Sequence, residues 1–71
     1  MHPNFAARVA YGRTIRERAS CLIEAYGPRA AEEALRAADE PGLGAADRSF
    51  WLAVAARLAR ELGQPGAWLA H

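Results

Sequence analysis

Residues 51–62 read Trp-Leu-Ala-Val-Ala-Ala-Arg-Leu-Ala-Arg-Glu-Leu, and this stretch decides the fold. On a 3.6-residue period, Trp51, Val54, Ala55, Leu58 and Leu62 fall on one face. Alanine, leucine and arginine fill the rest of it, and all three are strong helix formers. Arg57, Arg60 and Glu61 are directed elsewhere, while Arg48 lies near the edge of the apolar face. Phe50 falls off the stripe, on the Arg57 and Glu61 side. Gly63, Pro65 and Gly66 end the pattern. With Asp47 as N-cap, the spacing predicts a helix from about 48 to 62.

Upstream, Pro41, Gly42 and Gly44 break the chain. Before them, residues 28–39 read as a second helix that opens on Pro28, where a missing N–H costs nothing. Its apolar face is Ala31, Ala34, Leu35 and Ala38. Only Leu35 is large, so a neighbouring helix can come close to this face but buries little area on it. The opposite side carries Arg29, Glu32, Glu33, Arg36, Asp39 and Glu40, with Glu32 and Arg36 at the favourable i, i+4 spacing.

A first helix is predicted from 14 to 26. Thr14 and Glu17 have the spacing of a capping box. Ile15, Ala19, Leu22, Ile23 and Tyr26 follow as one stripe, and Gly27 supplies the stop. Residues 1–13 form a leader in which Phe5 and Val9 share a face and Gly12 weakens the pattern. It reads as a short helix, or as a turn continuous with the first helix. Residues 63–71 form a tail bearing Trp68 and Leu69. The expected fold is therefore a single all-α domain over 1–71. It is a small bundle of three helices, or four if the leader forms its own. The expected core is Ile15, Leu22, Ile23, Tyr26, Leu35, Trp51, Val54, Leu58 and Leu62.

The bulk composition bounds the function. Seventy-one residues leave room for one domain with a thin core. A lone cysteine, Cys21, makes no internal disulfide and fits a reducing cytoplasm. All nine basic residues are arginine. That uniformity reads as genome composition rather than guanidinium chemistry. The formal net charge is only +1, whereas domains that bind phosphate nonspecifically show a clear basic excess. No apolar run approaches the roughly 20 residues that span a bilayer. Arg8 and Arg13 interrupt any secretory core near the N-terminus. A cytoplasmic location without membrane contact is the expectation.

Residues that carry chemistry are few and scattered. His2 and His71 stand at the two ends, where neither an orienting partner nor a pocket is expected. Cys21 projects away from the Ile15/Leu22 stripe. Arg18 is the one neighbour that would lower its pKa, and an inert thiol is the simpler reading. The pairs Glu32/Glu33 and Asp39/Glu40 diverge by about 100° on a helix and do not converge on a substrate. Gly42 and Gly44 lack a preceding strand and the third glycine of a phosphate loop, because Asp47 stands in its place. A helix-turn-helix reader is opposed by the long Pro41–Ala46 connection and by a third helix of mostly Ala and Leu. No catalytic residue, metal or cofactor is expected, and the chain does not read as an enzyme.

The stretch from Thr14 to Gly63 resembles a family of short alphaproteobacterial helical proteins of unknown function. The matching elements are Tyr26-Gly27, the Ala-rich segment Ala30 to Ala38, and Asp47. The third-helix opening Trp51, Val54, Arg57 and Leu58 also matches. The resemblance implies a compact three-helix fold and supplies no activity.

The expected function is a non-enzymatic protein–protein interaction module that acts by occupancy. Its partner is another protein or a second copy in a homodimer. The candidate contact residues are Phe50, Leu52, Arg57, Arg60 and Trp68, at the edges of the third helix and in the tail. One alternative is an inhibitor carried by a phage or mobile element, such as an anti-CRISPR protein. Another is weak nucleic-acid binding or regulation through scattered arginines, with nucleic acid the less favoured partner.

Overall fold

The first helix is nearly twice as long as the capping signal at Thr14 predicts. In the computed structural model, which describes residues 3–63 and their side chains from residue 6 onward, α1 runs Pro3–Tyr26. The leader is therefore neither separate nor a fourth helix. Ala6, Ala7 and Ala10 favour helix strongly, and Gly12 alone costs only about 1 kcal/mol relative to alanine. With no breaker ahead of it, Thr14 sits mid-helix and caps nothing. Its Oγ1 instead donates to the carbonyl of Ala10 at 3.0 Å, one turn back.

Gly27 ends α1 as expected, at a positive φ of 58° that disfavours any residue with a Cβ. A 3-10 turn, Gly27–Arg29, then carries Pro28, and the Ala30 N–H donates back to the Gly27 carbonyl. Helix α2 spans Ala30–Ala38, so the opening turn assigned to it from Pro28 is the tighter 3-10 form. The connection beyond it is a type II turn. Pro41 and Gly42 occupy the central positions, Gly42 has φ 84°, and the Leu43 N–H donates to Glu40 at 3.2 Å.

Helix α3 covers Ala45–Glu61, starting three residues earlier than Asp47 suggests. The N-cap is Gly44, with extended backbone and no side-chain cap. Asp47 instead lies in the first turn, where its charge favours the positive end of the helix dipole. Ala45 and Ala46 extend the helix because nothing in them competes with it. Arg48 was expected only near the edge of the apolar face. Its Nε donates to the Ala38 carbonyl at 3.0 Å, tying the last turn of α2 to the first turn of α3.

The three helices enclose a core made mostly of methyl groups. Ala19 of α1, Ala30, Ala31 and Ala34 of α2, and Val54, Ala55 and Leu58 of α3 form one buried cluster. Leu58 and Val54 are the largest fully buried side chains. Contacts between α2 and α3 are the most extensive. Residues of this size let helix axes approach closely, which leaves no central room for larger groups. Ile15, Leu22, Ile23, Leu35, Trp51 and Leu62 therefore border the core, packed against it and only partly buried. Tyr26 is a correction. It is 48% exposed, because it is the last residue of α1 and its ring extends past the packed region.

The charged face of α2 also pairs differently from the expected Glu32–Arg36 contact. Glu32 meets Arg29 at 3.5 Å. Glu33 is shared between Arg29 at 3.8 Å and Arg36 at 3.7 Å. At least one partner in each contact is exposed, so these pairs contribute at most a few tenths of a kcal/mol each.

Candidate protein-binding groove

Residues of α1, α2, the connecting turn and α3 enclose an open groove of about 460 Å³. Leu22 and Tyr26 reach it from α1, Trp51 from α3 and Leu43 from the connecting turn. Ala37 forms part of the α2 side, and Glu33, Arg36 and Glu40 supply its charges. The groove exists for a sequence reason. The small residues of α2 hold α2 and α3 together, and the 3-10 turn offsets α2 from the end of α1. The large residues that end α1 and open α3 are then left facing a gap.

Trp51 is held on two sides. The Arg18 guanidinium lies 5.8 Å from its ring centroid, within cation–π range. Phe50 meets it edge to face at 5.5 Å and 74°. Phe50 in turn meets Tyr11 at 6.2 Å and 70°. These contacts pack the Trp51 ring on two sides.

The candidate residues taken from the sequence do not converge here. Phe50 is not a free anchor. It is partly buried, packed on the core and covered by Tyr11 from the segment read as a leader. Leu52 is 46% exposed and Arg60 is exposed, but neither lines the groove. Arg57 is ion-paired with Glu61, and its buried Nε makes no directed hydrogen bond. Trp68 lies outside the described residues, as do His2 and His71. Tyr26 and Leu43 are the groove residues that sequence reasoning misplaced. The stripe of α1 predicts Tyr26 in the core, and the turn pattern gives Leu43 no role. An aromatic directly before a helix-ending glycine, and a lone leucine between two turn glycines, are the local signals.

The groove's charged groups are carboxylates and one guanidinium already joined in ion pairs, except for Glu40. Among the described residues, no three His, Cys, Asp or Glu side chains are placed to hold a metal ion. Cys21 is free and exposed. No described helix is long and apolar enough to cross a membrane.

The chain thus belongs to the class of small all-α proteins. No protein-family model, curated protein or solved structure matches it.

Proposed function

We propose that this protein is a non-enzymatic binding module that acts by occupancy, taking an apolar segment of a partner protein into the groove between α1, α2 and Trp51. The observation that carries this reading is the groove itself. Its apolar walls, Leu22, Leu43, Tyr26 and Trp51, come from two helices and a turn and stand around a charged edge that α2 supplies. Such a mixture, with an aromatic wall packed on two sides, is the anatomy of a protein-docking site. The core supports it as well. A domain whose fully buried residues are mostly alanine gains little from its own burial and benefits from a partner that covers more apolar surface.

Affinity capture with the wild-type chain and with Leu43→Arg, followed by mass spectrometry, tests the reading. Leu43 lies in the connecting turn and is only partly buried, so the variant should retain its helical circular dichroism. A partner retained by wild type and lost by Leu43→Arg is the expected outcome. A partner retained equally by both would remove the groove as the binding site.

A further inference from the structure

Two surfaces of this chain are unfilled, and their chemistry is complementary. The first is the opening half of α1. Residues 6–14 are all exposed, including Val9 at 48% and Tyr11 at 46%. Tyr11 meets Phe50 edge to face, and the rest of this stretch is left uncovered. It is also basic: residues 6–18 hold four arginines against one glutamate. Arg8, Arg13 and Arg16 make no ion pair among the described residues. Val9, Arg13 and Arg16 stand at i, i+4 and i+7, on one face of the helix.

The second surface is the groove. On its α2 side Glu33, Arg36 and Glu40 line it, two carboxylates against one arginine. Arg29 and Arg36 are both engaged with Glu32 or Glu33. Glu40, at the groove, has no ion-pair partner among the described residues. The arm cannot fill the groove of its own chain. Leu22 and Tyr26 belong to the same continuous helix, which cannot fold back on itself: along its axis Val9 stands about 20 Å from Leu22 and Arg16 about 9 Å, at 1.5 Å per residue.

We infer that the occupant is a second copy of this chain, whose basic first half of α1 docks against the apolar walls and Glu40. This rests on the groove being the docking site. The two surfaces differ, so a reciprocal exchange pairs arm with groove twice about a twofold axis, whereas a one-way contact is heterologous. Copies that both give and receive an arm close as a dimer, and unreciprocated contacts extend further. Opposite charge steers the encounter, and the apolar contacts hold it.

Sedimentation velocity over a concentration series, at about 50 mM and about 500 mM salt, reads the association directly. Wild type should associate with rising concentration and do so more weakly at the higher salt. Arg13→Glu/Arg16→Glu changes only exposed residues and should weaken association about tenfold, as should Glu40→Arg. Mixing those two variants should restore part of it, since each supplies the charge the other lost. A wild-type chain that stays monomeric to about 1 mM at low salt overturns the inference, because even a millimolar Kd would show there. Association that neither charge reversal nor Leu43→Arg affects overturns it equally. A monomer whose capture of another protein is abolished by Leu43→Arg would leave the groove reading standing and refute only the second copy.

Discussion

Ala34→Leu should destabilise this protein, although it adds apolar bulk to a domain short of it. Ala34 is fully buried, in the cluster that joins α2 to α3. Leucine brings three further carbon atoms. If they fitted, each would contribute about 0.8 kcal/mol of burial, roughly 2.4 kcal/mol in total. They do not fit without moving the helices. The cluster around Ala34 includes Ala30, Ala31, Val54, Ala55 and Leu58, all fully or almost fully buried. Overpacking such a site costs about 1–3 kcal/mol net. In a domain of this size, 2 kcal/mol lowers Tm by roughly 8–16 °C. Urea unfolding followed by circular dichroism measures the change. Leu52→Ala serves as the control, because Leu52 is 46% exposed and its loss should stay within about 0.5 kcal/mol. A higher midpoint for Ala34→Leu would show that α2 and α3 are not closely packed at this position, and the alanine-core account would fall.

Three further substitutions test individual elements. Thr14→Ala should be neutral or stabilise by a few tenths of a kcal/mol, because Thr14 is a mid-helix residue and alanine is the better helix former. A loss of about 1 kcal/mol in urea melts would instead restore the capping box. Arg48→Met keeps the aliphatic stem and removes the bond to the Ala38 carbonyl. It should cost about 0.5–1.5 kcal/mol and speed amide hydrogen exchange at the end of α2. Unchanged exchange there would mean that the bond does not hold the two helices. Gly27→Ala should cost about 1–2 kcal/mol from the positive φ alone, since a Cβ at this position meets nothing within 4 Å. Gly27→Asn should cost less, and equal losses for the two would point to something other than backbone conformation.

Periodicity was a reliable guide for the elements and a weaker one for the site. The Trp51–Leu62 stripe placed α3, and Gly27 placed the end of α1, because both signals are local to the backbone. The Thr14 capping signal misled because a cap requires the chain to leave helical geometry, and residues 6–13 give it no reason to do so. Asp47 misled in the same way, with Gly44 and two alanines ahead of it. The groove was less legible. Leu22 and Trp51 were marked as apolar, but nothing in their spacing says that a turn would bring Leu43 beside them. Spacing alone leaves Phe50 between an interface contact and a packed residue, because its partner, Tyr11, is far away in sequence.

The sequence by itself determined that the chain is helical, where its breaks fall and which face of each helix is apolar. Helix propensity, glycine and proline act within a turn of their own position, so one strand of text carries them. Tertiary structure decided which apolar residues became core. Alanines took the centre because close helix approach excludes larger groups there, and the larger side chains moved to the border. At the end of α1 that displacement left Tyr26 and Trp51 lining a groove, a consequence of how three helices divide space rather than of any one helix's pattern.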